Sequence, residues 1–197
     1  MRHLTKGIAA LTVASLATFA SACNKGPAEA ALNAADQALA AARPEIEKYV
    51  PGELASLTSA VQAARSEFEK GNYTEALKAA QALPAQIQAA VAAATVQKDQ
   101  LVAAWNDLAG TLPGQVQAIT GRLTDLQTRA LPKGMTKDML ASAQTDLGSV
   151  TQAWTEATAA FQGGDIPRAL ETAEGVKAKA DALAGMLGLT AAPPAAR

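Results

Sequence analysis

The chain has 197 residues, is 49% hydrophobic but only 4% aromatic, and carries 17 basic and 18 acidic residues. Its one histidine, His3, and its one cysteine, Cys23, lie near the start, so the rest of the chain contains neither. This excludes Ser-His-Asp and Cys-His catalysis and the usual His/Cys zinc sites from residue 24 onward. The nearly balanced charge argues against a nucleic-acid partner, because nucleic acid usually binds to a basic surface.

The first 22 residues have the pattern of an export signal peptide. Arg2 and Lys6 are followed by an apolar, uncharged run from Gly7 to Phe19, and then by three small residues suited to a signal peptidase, Ala20, Ser21 and Ala22. A membrane-spanning helix needs about 20 apolar residues, which is more than this run supplies. A cleaved leader is therefore expected rather than a transmembrane anchor.

The small residues together with Cys23 resemble the lipobox of bacterial lipoproteins, with Ala20 where that box usually has Leu. The resemblance implies that Cys23 is acylated, for example with palmitate, and anchors the chain in a lipid bilayer. Two or more acyl chains make such an anchor stable. Because an ordinary signal peptidase would also accept these small residues, a soluble secreted protein is the alternative.

The residues after Cys23 bear on where the protein is held. In enteric bacteria, an Asp directly after the lipidated cysteine favours the inner membrane, and this chain has Asn24 there. The resemblance therefore implies a periplasm-facing protein of the cell envelope, in the outer membrane rather than the inner one. Residues 23–27 are predicted to be the lipidated cysteine and a short tether, which keeps the folded body close to the bilayer.

Residues 28–111 are predicted to form a first unit of three helices. Alanine makes up about a quarter of the chain and has the highest intrinsic helix propensity. From residue 28 to 43, Ala and Leu recur every three or four residues, which is the helical period, and Pro44 is expected to restart the next turn. The second helix is predicted from Pro51 to Lys70, with Gly71 ending it.

The third predicted helix runs from residue 73 to 108. Asn72, with Glu75 three residues later, has the pattern of a capping box at its start. Pro84 is expected to bend or split this helix, because an interior proline removes a hydrogen bond and collides with the preceding turn. Leu112-Pro113-Gly114 is predicted to end the first unit.

A second unit is predicted from residue 112 to 189. Its first helix ends at a break over residues 131–134, and Thr136 is a candidate cap for the next helix. Gly163-Gly164 stops that helix, and Asp165 is expected to cap the last one. Residues 190–197, rich in Ala and Pro, are predicted to be a disordered tail.

The two units share a sequence pattern at an offset of 93 residues. The matching residues are predicted to form two equivalent helix–turn–helix junctions: Phe68, Gly71, Asn72, Tyr73 and Ala76 in the first unit, and Phe161, Gly164, Asp165, Ile166 and Ala169 in the second. Residues of the preceding helices also match, for example Leu57 with Val150. We therefore predict an all-α, elongated antiparallel bundle of two duplicated three-helix units that share, or are joined by, a long kinked helix.

The junction resembles the helix–turn–helix of tetratricopeptide repeats, although the 93-residue period differs from the roughly 34 residues of such arrays. Residues 51–90 also resemble small Ala-rich lipoprotein domains of unknown function, which combine a lipobox with this Gly-[Asn/Asp]-Tyr turn. This second resemblance implies a helical hairpin in the cell envelope and implies no activity.

Two groups of residues could serve in ligand binding or catalysis rather than in packing. Trp105 and Trp154 could stack on sugars, but both lie on apolar stripes and are predicted to be core residues. Five carboxylates could act as acid–base pairs, but they are predicted to fall on polar faces at helix starts, where a carboxylate interacts favourably with the helix dipole. They are Glu45, Glu47, Glu53, Asp138 and Asp146.

The sequence thus predicts a lipid-anchored protein that is not an enzyme and has no catalytic residues, metal site or cofactor. Its expected role is that of an adaptor or spacer for another envelope protein. The alternative is a module that binds peptidoglycan or another glycan.

Overall fold

The computed structural model describes residues 24–189, and within this range the chain forms five helices and no strand. The helices are α1 (Lys25–Tyr49), α2 (Pro51–Glu69), α3 (Tyr73–Thr128), α4 (Lys137–Gln162) and α5 (Ile166–Met186). The prediction of an all-α helical bundle is confirmed. The predicted signal peptide, Cys23 and the tail from residue 190 onward lie outside the described residues.

The helices form two compact units, of which the first ends at Ala94 and the second begins at Thr95. In the first unit α1 packs against α2, and in the second α4 packs against α5. Helix α3 supplies the third helix of both units, since its buried residues belong to the cores of both. The division therefore lies inside α3, upstream of the Leu112 boundary that the sequence suggested.

Helix α3 continues for 56 residues through both of its prolines, so the predicted break at Leu112-Pro113-Gly114 is wrong. Of the bend or split expected at Pro84, the split does not occur. An interior proline costs about 3 kcal/mol in an isolated helix. Here both proline rings face solvent, while the preceding Leu83 and Leu112 are 2% and 1% exposed. Burial of apolar side chains around each proline offsets the local cost.

Helix α1 likewise extends beyond its predicted limits of residues 28–43. It begins at Lys25, inside the predicted tether, and continues through Pro44 to Tyr49. Ile46 and Tyr49, in the turn after the proline, are 0% and 8% exposed. Their burial against α2 explains why the helix persists past Pro44.

The cores of both units consist of apolar side chains, many of them alanine, and none of the buried residues within 24–189 is polar or charged. Buried positions recur at the 93-residue offset. Six buried residues of the first unit, Ala76, Ala80, Leu83, Ile87, Ala90 and Ala94, correspond to six buried residues of the second, Ala169, Ala173, Val176, Ala180, Leu183 and Leu187. The duplicated pattern thus specifies the same buried face in both units.

The helix starts follow the predictions in part. The Thr136 hydroxyl accepts a hydrogen bond of 3.2 Å from the backbone N–H of Met139, which confirms the predicted cap of α4. Asp165 occupies the N-cap position of α5, but its side chain makes no capping hydrogen bond, so its predicted capping role is wrong. Pro167, in the first turn of α5, needs no hydrogen-bond partner for its nitrogen.

Candidate functional site

The two predicted repeat turns have the same backbone geometry. Gly71 and Gly164 have φ values of 84° and 78°, a left-handed conformation that glycine adopts without steric cost. In the first turn, the Asn72 N–H donates to the Glu67 carbonyl at 2.9 Å and the Gly71 N–H to the Phe68 carbonyl at 3.0 Å. These two bonds define a Schellman motif, which satisfies the last carbonyls of the helix.

The second turn repeats this arrangement. The Asp165 N–H donates to the Ala160 carbonyl, and the Gly164 N–H to the Phe161 carbonyl, both at 2.9 Å. Ala169, in the first turn of the helix that follows, is 0% exposed, as is Ala76 in the first unit. The small alanine side chain lets the new helix pack closely against its neighbours, so these repeat residues shape the fold.

Replacing Gly164 by alanine should lower the free energy of unfolding by about 1 kcal/mol, since an L-residue is strained at positive φ. A Cβ at this position would meet no atom within 4 Å, so the cost is conformational rather than steric. Urea denaturation followed by circular dichroism measures it. Gly175→Ala, at an exposed position inside α5 that also has room for a Cβ, is the matched control and should stabilise the protein. Equal effects of the two substitutions would contradict the prediction.

The residue after Cys23 is held against the folded body. The Asn24 side-chain amide donates a 3.0 Å hydrogen bond to the Thr74 hydroxyl, in the first turn of α3. The Asn24 carbonyl accepts the first backbone hydrogen bond of α1, from the Ala28 N–H at 2.9 Å. The predicted tether over residues 25–27 is therefore helical. Ala20, Ser21, Ala22 and Cys23 precede the described range, in which no helix is long and apolar enough to cross a bilayer.

The two tryptophans lie together in the core of the second unit. The Trp105 ring of α3 is nearly parallel to Trp154, with centroids 5.3 Å apart, and to Phe161, with centroids 4.6 Å apart. Trp154 and Phe161 are seven residues apart on α4, or about 10.5 Å along the helix axis. The Trp105 ring therefore lies between them, and both of its faces are covered. A sugar could reach only Trp154 and Phe161, which are half-buried.

The carboxylates considered for acid–base chemistry are dispersed over α1, α2 and α4, and all are exposed except the half-buried Glu45. Glu45 and Glu47 lie near the end of α1, so their predicted place at a helix start is wrong, because α1 continues through Pro44. Within residues 24–189 no group of three His, Cys, Asp or Glu side chains is placed to hold a metal ion. Two other carboxylates have a shifted pKa. Lys70 and then Asn72 lower the pKa of Glu67, and Lys177 and then Gln115 lower the pKa of Asp181, in each case chiefly through hydrogen bonds to the carboxylate.

The Lys177–Asp181 pair could have been found from its spacing of four residues on one helix. The Gln115–Asp181 hydrogen bond of 2.7 Å joins α3 to α5 and has no local signature in the sequence. Gln115 and Asp181 thus connect two helices at the protein surface.

Sequence reasoning also missed two clefts beside the loop that connects α3 to α4. One, of about 350 Å³, includes Arg129, Leu131 and Lys137 in its lining. The other, of about 270 Å³, includes Arg122, Pro132 and Lys133 in its lining. Polar and apolar side chains thus converge at this loop from elements far apart in sequence.

No protein-family model, curated protein or solved structure matches the chain. The resemblances to the lipobox, to Ala-rich lipoprotein domains and to the tetratricopeptide junction rest on the quoted residues alone. They stay predictions.

Proposed function

We propose that the protein is a lipid-anchored, non-catalytic helical lipoprotein of the bacterial cell envelope that acts as an adaptor or spacer for another envelope protein. The anchor is the acylated Cys23, and the body faces the periplasm, from the outer membrane rather than the inner one. The observation that carries the proposal is the hydrogen bond from Asn24 to Thr74, together with the start of α1 at Lys25. Because the residue next to the anchor is part of the folded body, the lipid would hold that body directly at the bilayer.

The non-catalytic role is supported by the residues that the chain supplies. No histidine or cysteine follows Cys23, so the imidazole and the thiol on which Ser-His and Cys-His catalysis depend are missing there. Because alanine side chains are short, the surface of an alanine-rich helix lies close to its backbone. Such a helix also carries few reactive side chains. Such a body suits contact with another protein better than chemistry.

The alternative is a module that binds peptidoglycan or another glycan, and the half-exposed Trp154 is the observation that favours it. Aromatic rings bind sugars through their faces, but Trp154 already uses one face to stack on Trp105. This leaves a smaller platform than two free tryptophans would provide, and we therefore place the adaptor role first.

A pull-down on purified peptidoglycan sacculi separates the two roles. For an adaptor, we expect the acyl-free protein to stay in the supernatant and Trp154→Ala to change nothing. Retention on sacculi that Trp154→Ala abolishes would reject the adaptor role in favour of glycan binding. Phe68→Ala, which removes a half-buried aromatic side chain from the first unit, is the control for a nonspecific loss of structure.

A further inference from the structure

Four cations line the two clefts beside the α3–α4 loop. Arg129 and Lys137 line the larger cleft, and Arg122 and Lys133 line the smaller one. We call these four residues and the two clefts the basic surface. None of the described residues that line either cleft is acidic.

This concentration of positive charge contrasts with the negative net charge of the chain. Without the leader's Arg2 and Lys6, the chain keeps 15 of its 17 basic residues against 18 acidic ones, a net charge of −3. The nearby carboxylates Asp125 and Asp138 are exposed and line neither cleft. The basic surface therefore favours an anionic partner.

The basic surface also contains apolar side chains. Met139 and Met186, which are 38% and 36% exposed, line the smaller cleft with Met135. Leu131 and Leu140 are half-buried in the larger one. Methionine is flexible and polarisable, so it adapts to side chains of different shapes, and it occurs often at surfaces that bind amphipathic helices.

We propose that the basic surface docks an amphipathic helix that carries acidic residues beside its apolar face and belongs to the partner protein. This rests on the proposed adaptor function and names the surface and the chemistry of the partner. The two clefts, of about 350 and 270 Å³, are open recesses in which apolar side chains of such a helix can pack. The exposed Arg129, Lys133 and Lys137 then pair with the flanking carboxylates, whereas Arg122 is half-buried and its Nε donates to the Leu187 carbonyl. A bilayer presents a flat surface with no protruding side chains, which fits two separate clefts less well.

The test uses the full-length lipidated protein in phosphatidylcholine nanodiscs, with empty nanodiscs as the blank. The probe is a fluorescent synthetic helix with leucines at positions i, i+3, i+4 and i+7 and glutamates on both sides of this face. Fluorescence anisotropy should show saturable binding. A peptide with lysines in place of the glutamates should bind at least about tenfold more weakly, because its charges repel the basic surface.

The double variant Lys133→Glu/Lys137→Glu should weaken binding of the acidic peptide by about fivefold or more, and salt should reduce binding by the wild type. Lys78→Glu makes the same kind of charge change at an exposed position in the first unit and should leave binding unchanged. Met139→Ser should also weaken binding, through loss of apolar contact. Circular dichroism of each variant checks that the helices are retained.

Equal binding of the acidic and basic peptides, or equal effects of the Lys78 and Lys133/Lys137 changes, would overturn the proposal. So would binding of the acyl-free Cys23→Ser protein to phosphatidylglycerol vesicles with no binding of the acidic peptide, which would assign the basic surface to an anionic membrane. Membrane retention through Cys23 is measured separately. Absence of peptide binding by the wild type, with its membrane retention intact, would reject this surface alone, whereas membrane retention that does not depend on Cys23 would reject the proposed function.

Discussion

Replacing Trp105 by alanine is expected to lower the free energy of unfolding by about 3–5 kcal/mol. The Trp105 ring is 5% exposed and stacks on Trp154 and Phe161 at once. Its removal leaves a cavity between two aromatic rings of α4 that are held two helical turns apart. Stacked aromatic pairs also contribute about 0.5–1.5 kcal/mol each beyond the area that they bury. Because small proteins have a total stability of about 5–15 kcal/mol, this is a large share.

Urea denaturation followed by circular dichroism measures the effect of the Trp105 substitution. Trp105→Phe keeps an aromatic ring between Trp154 and Phe161 and should cost less than half as much. Trp154→Ala should also cost less than Trp105→Ala, because Trp154 is half-buried and contacts Trp105 on one side. A Trp105→Ala protein within about 1 kcal/mol of the wild type would show that this stack is not central to the second unit.

Changing Cys23→Ser should move the protein from the membrane fraction to the soluble fraction and abolish its labelling by a palmitate analogue. Serine has no thiol to carry the lipid, and each buried methylene of an acyl chain contributes about 0.8 kcal/mol to membrane binding. Loss of two or more chains therefore removes the anchor. No helix within residues 24–189 is long and apolar enough to replace it by spanning the bilayer.

Cell fractionation and mass spectrometry of the intact protein measure this change. Ser21→Ala, which keeps a small residue in the lipobox-like segment, is the matched control and should leave lipidation intact. Unchanged membrane association of Cys23→Ser would refute the lipid anchor. A wild-type protein that begins at residue 24, or that carries an unmodified thiol, would refute it as well.

The turns and the helical fold class could be predicted because they depend on residues that are close together in the sequence. Gly71 and Gly164 end helices through their own left-handed conformation, and Thr136 caps α4 through a hydrogen bond three residues away. Several residues related by the 93-residue offset are buried in both units, since similar apolar spacing places them on one face of a helix. A pattern of residues within one or two helical turns is therefore enough to predict the turns, the cap and the buried face of a helix.

The prolines show where local reasoning fails. Pro44, Pro84 and Pro113 each lower the stability of a helix, so the neighbouring residues alone predict a break at each proline. Whether the helix continues depends on how much apolar surface is buried on both sides of the proline, as at Leu83 and Leu112. That burial is supplied by other helices, so its size cannot be read from the residues around the proline.

The amino-acid sequence by itself determined that this is an all-α protein without histidine or cysteine beyond Cys23, with two equivalent glycine turns. These properties follow from composition, helical period and backbone conformation, which act over a few residues. Only the tertiary structure decided that α3 is one helix shared by two cores, that Trp105 lies between two aromatic rings, and that four cations converge beside the α3–α4 loop. The reason is physical: burial and charge convergence depend on contacts between segments distant in the chain, and only packing of the helices brings those segments together.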